Sequence, residues 1–198
     1  MTVHLPAITG LILAGGRGSR MGGVDKGLQL HQGRMLVRHV VDRLAPQVSH
    51  VLINANRSGT EYATLGYPVV ADRIAGFAGP LAGLHAALAA AETPLVVTAP
   101  CDSPRLPHDL VGRLRRALLA GHANLAIVTA NGRLHPVFCL CKREVLPHLT
   151  EFLAGGGRKI DRWYATLKVV EVAFDDEADA FENINTREEL GRFETPDR

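Results

Sequence analysis

Apolar positions along the chain follow two alternating rhythms: short unbroken runs, and longer stretches whose apolar residues recur three and four apart. Ile8–Leu13 is a run of strand length. Residues 35–44 follow the second rhythm, with Leu36, Val37, Val40, Val41 and Leu44 on one helical face. His50–Asn54 and 68–72 return to strand character, and 80–91 is an alanine-rich helix with proline in its first turn. Residues 94–99 form a buried strand, 108–120 a helix with Leu110, Val111, Leu114 and Leu118 at helical spacing, and 124–129 and 137–141 continue the sheet. Strands alternating with helices predict an α/β architecture: a Rossmann-like, doubly wound, mostly parallel sheet with helices on both faces. Ligands of such sheets bind beyond the carboxyl ends of the strands. The first four predicted strands end at a glycine and arginine loop, at Asn54, at Asp72 and shortly before Asp102, so one crevice can collect all four.

Composition narrows the class without changing this picture. The chain has 198 residues, 46% of them hydrophobic and 21% charged, enough for one well-buried core. One domain over residues 1–198 with short flexible ends is expected. A formal net charge of +2, with no basic run and no accompanying aromatic platform, argues against broad nucleic-acid binding. No segment approaches the roughly 20 consecutive apolar residues of a membrane span, and the first residues lack the charged and apolar regions of a secretory signal. A cytoplasmic location is the expectation. Cys101, Cys139 and Cys141 all lie in apolar stretches, which speaks against a disulfide framework. Cys139 and Cys141 share one face of a strand, as buried thiols or, less favoured, as metal ligands.

The stretch after the first strand, Ala-Gly-Gly-Arg-Gly-Ser-Arg-Met-Gly-Gly-Val-Asp-Lys-Gly from Ala14 to Gly27, carries the strongest chemistry. Glycines let backbone N–H groups approach an anion without an intervening Cβ. Arg17, Arg20 and Lys26 add mobile positive charge, so the loop reads as a triphosphate cradle. It is not a Walker loop, because Gly23 is followed by Val24-Asp25-Lys26-Gly27, and it is not a dinucleotide fingerprint, because Met21 stands where the third glycine belongs.

Asp102, just past a strand that stops at Pro100, suits a magnesium ligand, since magnesium commonly takes one or two carboxylates with phosphates and waters. Capping of a following turn or helix is the alternative, and the phosphate loop favours the metal. Asp72 can hold a ribose or a metal-bound water, or form a salt bridge with Arg73. Asn54 can read a base or sugar, or serve as a turn residue. Residues 155–159, Gly-Gly-Gly-Arg-Lys, make a second cationic loop suited to an anionic acceptor, or else a surface turn. Thr186 and Glu189 fit a capping box, which leaves Asn183 and Asn185 unexplained.

These motifs resemble the nucleotidyltransferase superfamily and, within it, the molybdenum cofactor guanylyltransferases, which make molybdopterin guanine dinucleotide. The resemblance rests on residues 13–28, on Gly79-Pro-Leu-Ala-Gly83, on Pro100-Cys-Asp-Ser-Pro104 and on Phe181-Glu-Asn-Ile-Asn-Thr186. It implies the nucleotide-diphospho-sugar transferase type of fold. It also implies that Leu13, Ala14, Gly15, Lys26, Asn54, Asp72 and Asp102 bind GTP, with Mg2+ on Asp102. Arg20, Gly23, Gly83, Arg158, Asn183 and Asn185 fall on the pterin side. The Gly15-Gly16 pair and the Pro-Cys-Asp sequence favour guanine over cytosine.

The implied reaction is in-line attack by the terminal phosphate of molybdopterin on the α-phosphorus of GTP, with pyrophosphate leaving and with Lys26, Asp102 and Arg20 as the catalytic groups. Cofactor-handling proteins and molybdoenzymes are the implied partners, with neither nucleic acid nor membrane involved. Competing readings are a cytidylyltransferase on the same pterin, a sugar-phosphate nucleotidyltransferase and a non-catalytic cofactor-delivery adaptor.

Overall fold

A computed structural model describes residues 5–14, 25–74 and 79–182. Strand β1 (Ile8–Leu13) is followed, after a 3-10 turn at Lys26–Leu28, by a two-rung hairpin of β2 (Leu30–His31) and β3 (Arg34–Met35). Then come helix α1 (Leu36–Leu44), β4 (His50–Asn54), the short α2 (Gly59–Ala63), β5 (Val69–Val70), α3 (Pro80–Ala90), β6 (Leu95–Pro100) and α4 (Leu110–Ala120). The chain continues through β7 (Leu125–Ala130), β8 (Arg133–Lys142), α5 (Leu146–Ala154), α6 (Ile160–Tyr164) and β9 (Val169–Ala173), with a final 3-10 segment at Asp175–Phe181.

The main sheet has the order β5-β4-β1-β6-β8-β7-β9. The β1–β4, β1–β6, β4–β5 and β7–β9 pairs are parallel, and β8 runs antiparallel to both β6 and β7. The expected mostly parallel, doubly wound sheet is therefore present. The antiparallel strand has a local cause. Asn131 and Gly132 take φ of 50° and 70°, the left-handed pair of a two-residue hairpin turn, and so short a turn can only join antiparallel strands. β8 consequently begins at Arg133, four residues before the strand expected at 137–141.

β1 packs on both faces, which explains its unbroken apolar run. Ile8 and Ile12 face the α1 and α4 side with Val37, Val41, Leu44, Leu110 and Leu114, while Leu11 faces the α3 and α5 side with Leu84, Leu88 and Leu149. Helix α3 is apolar nearly all round because the sheet lies beneath it and α5 packs against it. Trp163, with no exposed surface, completes that layer and donates its indole N–H to His148 Nδ1 at 3.0 Å. Among the described residues no helix is long and apolar enough to cross a membrane.

Candidate nucleotide site

β1 lies between β4 and β6, with Leu13 opposite Asn54 on one side and Pro100 on the other. The chain winds outward from β1 through β4 to β5 and then returns to add β6 on the other side, so a switch point opens above the end of β1. The ladder runs on past the strand ends: Ala14 N–H donates to the Asn54 carbonyl at 2.8 Å, and Cys101 N–H to the Leu13 carbonyl at 3.1 Å. These bonds bring Leu13, Ala14, Asn54 and the Cys101-Asp102 pair to one edge.

Asp72 reaches the same edge because the chain leaves the sheet after β5 and is caught by two amides. Asn54 Nδ2 donates to Asp72 Oδ1 at 2.9 Å and to the Val70 carbonyl at 3.1 Å. Asn56 Nδ2 donates to Asp72 Oδ2 at 2.7 Å, and its own Oδ1 accepts the Asp72 N–H at 2.8 Å. The carboxylate is thus held by Asn54 and Asn56 rather than by Arg73. Asn56 was invisible in the sequence reading, although its spacing of two from Asn54 repeats the strand period.

Gly83 is placed by steric need. A Cβ there would lie 2.6 Å from Leu13 Cδ2 and would collide with Asn54 Oδ1. The missing side chain lets α3 close onto Leu13 and Asn54, both expected on the GTP side, whereas the resemblance had set Gly83 on the pterin side.

Asp102 is only 8% exposed. Burial pushes its carboxyl above the ordinary carboxylate range, and Lys26 opposes that rise. Lys26 Nζ lies 3.5 Å from Asp102 Oδ2, an ion pair between residues 76 apart in the chain. No helix starts beside Asp102, since α4 begins at Leu110, so helix capping does not account for it. A hard oxygen donor at this strand end is of a type that could hold a divalent cation together with phosphates and waters. The described residues hold no group of three or more His, Cys, Asp or Glu side chains placed to hold a metal ion.

Arg158 donates to the carbonyls of Leu153 at 2.8 Å and Gly157 at 2.6 Å, closing the end of α5. The 155–159 loop is therefore a helix terminus tied back on itself. Cys139 and Cys141 are buried on one face of β8, with Thr98 Oγ1 3.2 Å from Cys139 Sγ. Gly15, Gly16, Arg17, Arg20, Gly23, Asn183 and Asn185 lie outside the described residues. A cavity of about 450 Å3 opens at the other end of the sheet, beside Thr9, Val51 and Tyr67, and takes no part in this crevice.

A switch point with a lysine–aspartate pair and strand-end polar groups marks a nucleotide-binding protein of the doubly wound class. Comparison with known proteins makes the class specific. The chain belongs to the MobA-like NTP transferase domain family, whose model matches residues 10–169. It is 54% identical over 192 residues to the molybdenum cofactor guanylyltransferase of Ralstonia nicotianae, covering 92% of this chain and 94% of that protein.

Solved structures share the fold. Molybdopterin-guanine dinucleotide biosynthesis protein A from Archaeoglobus fulgidus superposes with a TM-score of 0.77 at 24% identity, over 93% of this chain and 95% of that one. A manganese complex of Rv0371C from Mycobacterium tuberculosis superposes with a TM-score of 0.65 at 19% identity, over 94% and 97% of the two chains.

Proposed function

We propose that this chain transfers GMP from GTP to the terminal phosphate of molybdopterin, forming the guanine dinucleotide and releasing pyrophosphate. The observation that carries the reading is the Lys26–Asp102 pair at the meeting point of β1, β4 and β6. An oxygen of the acceptor phosphate bonds to the α-phosphorus of GTP as the bond from that phosphorus to the pyrophosphate oxygen breaks. The nucleophile is already anionic, so no general base is required. Catalysis then rests on alignment and on neutralising charge as it moves to the leaving group.

Lys26 supplies a positive charge beside the phosphates. Asp102 would hold the divalent ion, for which we take Mg2+, and that ion would neutralise phosphate charge when bound. A protein of the same fold was solved in complex with manganese, which supports the use of a divalent ion. The Asn54–Asp72–Asn56 network offers a fixed set of polar groups to the nucleoside, and Leu13, Ala14, Gly15 and Gly16 offer backbone to the phosphates. Arg20, Gly23, Arg158, Asn183 and Asn185 remain assigned to the acceptor side, and Gly83 is assigned to shaping the nucleotide side. Residues 1–198 act as one domain, in the cytoplasm, with molybdoenzymes and cofactor-handling proteins receiving the product.

Purified protein should release pyrophosphate from GTP when both molybdopterin and magnesium are present. CTP, ATP and sugar phosphates should support little turnover in parallel reactions. Equal or greater turnover with CTP or with a sugar phosphate as acceptor would move the chain to one of those neighbouring activities.

A further inference from the structure

Lys26 stands on a short 3-10 turn rather than on a regular strand or helix, so something else must fix where its ammonium group goes. Both of its chain neighbours are held by one side chain. Tyr62, fully buried, donates its hydroxyl to Asp25 Oδ1 at 2.5 Å. On the other side of Lys26, a Cβ on Gly27 would lie 2.5 Å from that same hydroxyl and 3.1 Å from Cys101 Sγ. The turn therefore rests directly on Tyr62, and against the residue that precedes Asp102.

Tyr62 arrives from α2, in the crossover between β4 and β5, where its ring joins the core with Val37, Val41 and Leu106. A phenylalanine would fill that core equally well. A buried hydroxyl is costly unless it finds a partner, and here the partner is the residue next to the lysine. Burial drives the phenol far above its ordinary pKa, so it remains a donor throughout the working range of pH.

We propose that Tyr62 is a positioning residue for nucleotidyl transfer: its hydroxyl pins Asp25 and seats Gly27, which delivers Lys26 to the side of Asp102 where the triphosphate must lie. The proposal rests on the guanylyl-transfer reading above. Tyr62 touches neither substrate nor metal in this scheme and acts through Lys26 alone.

The test is a double-mutant cycle on pyrophosphate release from GTP, with molybdopterin and magnesium, using wild type, Tyr62→Phe, Lys26→Met and the double variant. Tyr62→Phe should lower kcat about 10-fold, with the KM for GTP moving less than about threefold. In the Lys26→Met background the same change should cost less than about twofold, because the group it positions is gone. Asp25→Asn keeps an acceptor for the phenol and should retain most activity, whereas Asp25→Ala should match Tyr62→Phe.

Equal losses from Tyr62→Phe with and without Lys26 would overturn the positioning role and leave a structural tyrosine. If Tyr62→Phe does not fold, the Asp25 pair decides: equal activity of Asp25→Asn and Asp25→Ala rejects the proposal. Wild-type protein that releases no pyrophosphate from GTP overturns the functional reading instead. Active wild type with independent effects at 62 and 26 overturns only this inference.

Discussion

The carboxyl ends of β4, β1 and β6 lead into Asn54, Ala14 and Asp102, whereas β7 and β9, at the same end of the sheet, lead into a hairpin and a group of aromatic rings. On the first side the Asp102 carboxyl is buried and forced above its ordinary pKa beside Lys26. On the second, Phe138, Phe174 and Phe181 pack edge to face, with centroids 4.9 and 5.2 Å apart, and Arg113 lies 3.7 Å over the Phe174 ring. Arg113 also makes a two-pronged pair with Asp176, at 2.9 and 3.0 Å, in the open. One side keeps an electrostatic conflict that a phosphate and a cation can relieve; the other resolves its charges at the surface and rests on ring packing. On the proposed function, chemistry and stability are thus separated along one sheet.

The sharpest way to break this contrast is Asp102→Asn. Turnover should fall about 10³-fold or more, since the anchor for the cation is lost. Stability of the unliganded protein should rise. A carboxyl whose folded pKa is raised holds more protons folded than unfolded, so stability is fully present below the ordinary value of 3.8 and declines as pH rises through the folded pKa. The amide removes that decline, and we expect the Tm near neutral pH to increase by about 1–3 °C. A lower Tm would mean that the Lys26 ion pair outweighs the burial of the charge.

Gly83→Ala comes next, because it strikes the seam where α3 meets Asn54. Overpacking there should destabilise the fold by about 1–3 kcal/mol in chemical denaturation, and the KM for GTP should rise as Asn54 and Asp72 shift. An unchanged KM would detach that network from the nucleotide. The smallest effect should come from the other side of the sheet. Arg113→Ala removes the stacking on Phe174 and should lower the Tm by about 2 °C, with kcat and KM unchanged. Asp176, which its hydrogen bond to Arg113 holds below the usual carboxylate range, contributes stability above pH 3.8 that is lost as pH falls through its lower folded value. That acid dependence should disappear in Arg113→Ala, and a several-fold change in kcat would show instead that the two sides are coupled.

Much of this was legible in the sequence because period and strand ends are local properties. His50–Asn54 and Ile8–Leu13 appear with the bounds that their apolar runs suggest, and Asn54, Asp72 and Asp102 do meet at one edge. The antiparallel strand was not foreseen, although Asn131-Gly132, a dipeptide whose left-handed preference makes a hairpin, stands just before it. Helices α5 and α6 and strand β9 were not read, although Val169–Ala173 is a mostly apolar run of strand length and Leu146, Leu149 and Leu153 recur at helical spacing; Trp163 takes its meaning only from the layer it closes. The surroundings of Arg158 were not legible, because charge beside glycine is ambiguous in one dimension; its bonds to Leu153 and Gly157 are a matter of how the chain turns back.

The alternation of strands and helices from β1 to α4 and the unbroken apolar run of β1 followed from the sequence itself. Each depends on backbone preference and hydrophobic period over a few residues. Tertiary structure decided which residues act together: Lys26 with Asp102, Asp72 between two asparagines, Gly83 against Asn54, and Tyr62 beneath Asp25 and Gly27. Those pairings span up to 76 positions along the chain. Only burial and close packing turn them into a raised pKa, a fixed carboxylate or a held lysine.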